Sequence, residues 1–169
     1  MELKAYIHLE LDGLKRGSDR VINGLSQWEL GWRPACGCNS IGLILFHCAR
    51  SEDSFIQGAL AGGKQIWETA DWYKKMNKPL DDGGAHYTVD QVNSYEVPDI
   101  KDLLAYWEIV RAGTLKYLEG MSAADFDRKI KMPWGEFTAA GIFSLIAGHT
   151  SQHIGEMGYL RGLLRGMDK

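Results

Sequence analysis

Four stretches of this 169-residue chain repeat apolar residues at three- and four-residue spacings over several turns, and this limits the fold more than any other feature. The first carries Leu3, Ile7, Leu11, Leu14, Val21 and Leu25, and ends before the loop Gly31-Trp32-Arg33-Pro34. The second opens at Asn39 or Ser40, both good helix caps, and runs through Ile41, Ile44, Leu45, Cys48, Phe55 and Ala59 until Gly62-Gly63 stops it. A third begins with Pro98 and Asp99 and continues through Ile100, Leu103, Leu104, Trp107, Val110, Leu115 and Leu118 to Gly120. The fourth is capped by Thr138 and lines up Ile142, Leu145, Ile146, His149, His153, Leu160 and Leu163. Four amphipathic helices of this length bury their stripes most simply against one another, so an all-α four-helix bundle is predicted, as one domain over residues 1–169.

The joins are unequal. Between Gly63 and Val97 the periodicity weakens: residues 64–76 suit a short helix, and Asp81-Asp82-Gly83-Gly84 reads as a turn. A connection this long can return the chain along the whole bundle, which predicts a crossover leaving helices two and three parallel. Ser122 and Asp125 form a capping-box-like start to one short turn, and residues 129–132 and 135–137 suit an irregular or hairpin-like excursion around Pro133. Helix four also repeats Gly141, Gly148, Gly155 and Gly162 at seven-residue intervals. Each glycine costs a helix about 1 kcal/mol relative to alanine, so the repeat predicts close approach of another helix, within the chain or across a dimer.

Charge and composition remove several classes of function. A formal net charge of -3, with no cluster of Lys and Arg, argues against nucleic acid as the main partner. The apolar run at residues 41–46 is too short to cross a bilayer, and the first residues have neither the basic start nor the apolar core of a signal peptide. An odd number of cysteines, three, makes no disulfide framework, so the cytoplasm is the default location. Cys36 and Cys38 form a C-x-C that no second cysteine pair answers. The six Trp residues suit core and helix packing, with pocket lining as the other use. No glycine-rich phosphate loop and no C-x-x-C-H haem motif is present.

The five histidines are not equivalent. His149 and His153 stand one turn apart on the apolar stripe of helix four. Two imidazoles there need partners for their ring nitrogens; a divalent transition-metal ion supplies one, and mutual or surface hydrogen bonding is the alternative. His47, at the edge of the helix-two stripe, completes a three-His set if helices two and four are neighbours. Three protein ligands leave a fourth position for water or substrate, as catalytic sites do. Glu156 falls on the same face, where it would orient a histidine, ligate the metal, or serve as base. Thr150 stands where a metalloprotease of the H-E-x-x-H type has its glutamate, which excludes that pattern. His8 and His86 read as ordinary surface residues.

Taken in order, Trp32-Arg33-Pro34, Asn39-Ser40-Ile41-Gly42 leading to Phe46-His47, the following Glu52, Gly148-His149-x-x-x-His153 and Tyr159-Leu160-Arg161 resemble the DinB/YfiT-like superfamily of small metal-binding bundles. The resemblance spans nearly the whole chain, with residue-level matches mainly in helices two and four. It implies four helices with a long crossover between the second and third, one divalent ion (nickel or zinc) on His47, His149 and His153, and a homodimer. It also implies kinship with transferases and isomerases that use a low-molecular-weight thiol. Glu156 departs from the glutamine common at that position in relatives and adds negative charge beside the metal. The expected function is therefore a metalloenzyme that activates a thiol (an S-transferase) or water (a hydrolase). Trp32, Arg33 and residues 64–95 are candidates for its pocket wall. The alternative is a metal-binding, dimerising stress or interaction protein without turnover, and a His cluster that binds no metal is the third outcome.

Overall fold

The computed structural model describes residues 2–166. Its frame is four long helices: α1 (Leu3–Ile22), α3 (Ile41–Asp53), α7 (Ile100–Gly120) and α8 (Ala139–Arg165). Between α1 and α3 lies α2 (Gln27–Gly31); α4 (Ile66–Thr69), α5 (Trp72–Lys75) and α6 (Val89–Ser94) occupy the long connection to α7. A 3₁₀ turn (Ala124–Asp127) and the antiparallel strands β1 (Lys129–Met132) and β2 (Gly135–Thr138) precede α8, in the register Lys129↔Thr138 and Met132↔Gly135. The all-α bundle is thus observed, with a hairpin where the residues around Pro133 suggested one.

The caps show why the helices start where they do. Ser40 accepts from the Leu43 amide and Thr138 from the Gly141 amide, each satisfying an orphan donor of the first turn. Asp99 caps α7 through the Lys101 amide, so Pro98 precedes the cap instead of lying in the first turn. The first helix is shorter than expected: it ends at Ile22, the chain turns at Gly24 (φ 71°), and Ser26 with Glu29 forms a capping box that opens α2. The second continues past Asp53 as a π-helix (Ser54–Leu60), the Ala61 amide donating five residues back to Ile56.

Cross-helix contacts give the directions. Asp53 meets Tyr106, Gln57 lies against Gly113, and the Leu60 carbonyl accepts from Tyr117, so α3 and α7 run parallel and residues 61–99 form the crossover. Gly17 faces Ile154 and the Val21 carbonyl accepts from Arg161, so α1 and α8 are also parallel. Lys4 reaches the Glu119 carbonyl and Arg111 the Leu11 carbonyl, which sets the two pairs antiparallel to each other.

The core has two apolar halves, one around Leu45, Phe46, Tyr106 and Leu103, the other around Leu11, Ile56, Leu118 and Ile142. Along α3 and α7 a buried polar layer separates them. Glu52, 1% exposed, accepts two bonds from Arg111, both 2.8 Å, one from Thr114 at 2.7 Å and one from the Trp107 indole at 3.1 Å. Asp53 accepts from the Tyr106 hydroxyl and from the Ile66 and Trp67 amides, which ties the start of the crossover to α3.

Two details of α8 differ from expectation. Leu163 is half exposed, and Gly148, Gly155 and Gly162 face open space, so among the described residues no helix approaches these three glycines, and only the approach across a dimer is left for them. Close α1–α8 packing is instead at Gly17, whose added Cβ would touch Ile154 at 3.4 Å, and at Gly158 against Val21. No helix among the described residues is long and apolar enough to cross a membrane.

Candidate metal centre

Near the middle of α8, between its two apolar segments, His149 and His153 project from one face, and α3 presents His47 to them. The three imidazoles turn their Nε2 atoms inward: His47 to His149 is 2.9 Å, His153 to His149 is 3.2 Å, and one ligand atom from each residue fits within a 4.8 Å group. Among the described residues this is the one set of His, Cys, Asp or Glu side chains arranged to hold a metal ion. Neighbouring nitrogens of a tetrahedral ion with bonds of about 2.05 Å stand about 3.3 Å apart, close to these separations.

Hydrogen-bond bookkeeping strengthens the fit. The Nδ1 of His153 lies 2.7 Å from the Glu156 carboxylate, and the Nδ1 of His47 lies 3.4 Å from the Gly83 carbonyl. Carboxylate and carbonyl oxygens only accept, so both Nδ1 atoms carry hydrogen and both Nε2 atoms present lone pairs. A neutral His149 has one hydrogen to offer, which leaves at least one lone pair without a donor. A cation answers all three at once.

The electrostatics agree. Burial, then the charge of His153, pushes the His47 imidazole below its ordinary value. His149 is lowered from 6.5 to about 4, by burial first and then by His47 and His153. Neutral imidazole is the ligating form, and His149 keeps it well into mildly acidic solution. Stability of the metal-free protein is expected to be flat above about pH 6.5. It falls as pH drops from there toward about 4, because the unfolded chain takes up protons that folded His149 refuses. Thermal melts from pH 7.5 to 4.5 check this; His149→Ala should flatten the acid limb.

A pocket of about 280 Å³ opens beside the cluster, lined by Asn39, Leu43, Ile44, His47, Gly84, Ala85, His86, Tyr87, Val92 and His153. The crossover builds its outer wall. Gly84 (φ 71°) is wedged against α3: a Cβ there would stand 2.9 Å from both His47 Cα and Phe46 Cδ1. The loop is tied down by Arg50 to the Asp82 carbonyl and by the Asp82 carboxylate, which accepts from the Gly84 amide and the Tyr87 hydroxyl. Gly84→Ala is expected to destabilise by about 2–4 kcal/mol and to lift this wall, since it adds left-handed strain to a backbone clash. Gly83→Ala, with no neighbour within 4 Å of its added Cβ, is the control in urea denaturation.

His47, His149 and His153 come together as expected, and Glu156 stands behind His153, on the ring nitrogen facing away from the cluster. His86 is exposed, as expected of a surface residue, and the wedged loop also brings it to the rim of the candidate metal pocket. No periodicity marks a loop position, so only the Asp-Asp-Gly-Gly turn hinted at the folding back. Trp32 and Arg33 are corrections. Neither lines the pocket, and Arg33 instead donates to the Tyr95 carbonyl at 2.8 Å, bracing the crossover. Of residues 64–95, residues 84–87 and Val92 line it. Trp67, Trp72 and Trp107 are core, while Trp28 and Trp134 are exposed. Cys36 accepts from Asn93 and belongs to no metal-ligating group, and His8 pairs with Glu119 at the surface.

Comparison with known proteins agrees with this geometry. A crystal structure of a conserved protein from Enterococcus faecalis superposes with a TM-score of 0.85 over 98% of this chain and 99% of that one, at 20% identity, which establishes the shared fold. No curated protein matches the chain. The family model of the DinB superfamily matches residues 10–157, which include part or all of each of the four long helices and all three histidines. The chain belongs to the DinB superfamily.

Proposed function

We propose that this protein is a metal-dependent enzyme in which His47, His149 and His153 hold one nickel or zinc ion and a small substrate enters the adjoining pocket. The observation that carries the reading is the convergence of three Nε2 atoms while Glu156 and the Gly83 carbonyl occupy Nδ1 positions. When bound, such an ion lowers the pKa of a thiol or water at its remaining position and makes it a nucleophile at neutral pH. The histidines supply neutral ligands. Leu43, Ile44 and Val92 give the pocket an apolar side that limits water around the reacting group. A low-molecular-weight thiol is the preferred nucleophile on the strength of the family resemblance, which makes the enzyme an S-transferase; water makes it a hydrolase.

Glu156 takes the positioning role. Its bond to His153 Nδ1 holds that ring in the tautomer that ligates, and its carboxylate stands outside the group of three ligand atoms. This favours an open three-ligand site over the closed shell of a purely structural ion. Glu156→Gln is therefore expected to weaken metal affinity about 10–100-fold, measured by competition with a chromophoric chelator. The reaction itself is tested by incubating nickel- or zinc-loaded protein with cysteine or glutathione and an electrophilic aryl halide, and separately with activated esters. Metal-dependent thioether formation or ester hydrolysis, lost in His149→Ala, is the expected result. Stoichiometric metal without turnover of any of these overturns this activity and leaves the non-catalytic metal-binding protein.

A further inference from the structure

We propose that His86 contacts the group occupying the open position of the three-His metal site, making it a ligand-contacting residue on the crossover loop. The inference rests on the metal reading above and adds a residue outside the metal ligands. His86 lines the 280 Å³ pocket together with His47 and His153, and also lines the neighbouring cavity of about 490 Å³ that contains Lys78, Gln91 and Tyr95. It therefore stands at the junction through which a ligand bound near the metal extends outward.

The backbone holds it there at some expense. His86 has φ 61°, in the left-handed region that residues with a Cβ avoid, yet no hydrogen bond of its imidazole accounts for this placement among the described residues. The constraint comes from both sides of it. Gly84 is pressed on His47, and the Tyr87 hydroxyl is committed to Asp82, so Ala85 and His86 between them have little freedom to relax. The polar side chains of the pocket divide in the same way. His47 and His153 face the metal position and Tyr87 is spent on Asp82, which leaves Asn39 and His86 to address a ligand. Of these, only His86 is held in a strained conformation, and an imidazole offers a donor and an acceptor to a thiolate, water or anion beside it.

Cobalt(II)-loaded protein titrated with azide, read by its visible absorption, tests this in the wild type and in His86→Ala, His86→Asn and His86→Gly. His86→Ala and His86→Gly should bind one cobalt as the wild type does and bind azide about five-fold more weakly, the loss of one hydrogen bond. His86→Asn tolerates the left-handed backbone and keeps an N–H donor, so it should lose less. Metal-free His86→Gly should melt no lower than the wild type, because glycine relieves the backbone. Equal azide affinity in all four proteins, or no azide binding by cobalt-loaded wild type, overturns the inference while the metal site stands. Lower melting and lower cobalt content in His86→Gly assign His86 a structural role and overturn it too. A wild type that takes up no cobalt overturns the metal reading, and this inference with it.

Discussion

Alanine at both His149 and His153 should abolish the single equivalent of nickel or zinc expected of the wild-type chain while leaving the bundle folded. Two of the three converging Nε2 atoms vanish, and His47 alone cannot hold the ion against water. The fold survives because both rings lie at the edge of the core, His149 and His153 being only part buried. Alanine is also the best helix former, so the middle of α8 loses no propensity. Elemental analysis of untagged protein reads the first claim and circular dichroism the second. A metal that binds the folded state alone also stabilises it, by about 4 kcal/mol at a thousand times its dissociation constant. The wild type should therefore melt higher with added nickel or zinc, and the double variant should not. Retention of a full equivalent by the variant would place the ion elsewhere and sink the site.

Arg111→Met should be the most destabilising single substitution in the frame, by about 3–5 kcal/mol in urea denaturation. Glu52 is 1% exposed and receives two of its four bonds from this guanidinium. Methionine fills much of the same volume but leaves a buried carboxylate with only Thr114 and Trp107 as donors, and also frees the Leu11 carbonyl. Glu52→Gln/Arg111→Met should recover part of the loss, because it removes the uncompensated charge. Equal stability of the wild type and Arg111→Met would mean that water reaches this layer.

The two variants separate kinds of residue that sequence matching brings together. His47, His149 and His153 meet at the candidate metal centre, but most other residues that carry the family resemblance serve the frame. Ser40 caps α3, and a Cβ on Gly42 would stand 2.2 Å from Val97, so the crossover end of the bundle closes only on glycine. Arg161 satisfies the Val21 and Asn23 carbonyls at the end of α1, and Glu52 anchors the polar layer. Arg33 braces Tyr95 instead of lining the pocket. Such residues hold the helices of the site in place. A motif list does not distinguish this role from contact with a ligand.

The sequence by itself determined the four helices, the cap at Thr138 and one at Asn39 or Ser40, the long crossover, and the three histidines. These follow from local rules: a 3.6-residue period sets a helix face, a side-chain oxygen caps an amide, and a four-residue spacing stacks two imidazoles. Only the tertiary structure decided which buried charges pair, since Glu52 and Arg111 are far apart in the chain and meet because α3 and α7 run parallel. It also placed His86 at the pocket beside the three histidines, by wedging Gly84 against His47. It turned Gly148, Gly155 and Gly162 of the seven-residue repeat outward as well, and no contact among the described residues explains these three. Spacing along one helix is encoded within a few residues, whereas contact between a loop and a helix depends on how the whole chain closes. That is why the three histidines were legible one by one, whereas the sequence marked the outer wall of the pocket only as a segment, residues 64–95, of which 84–87 and Val92 line it.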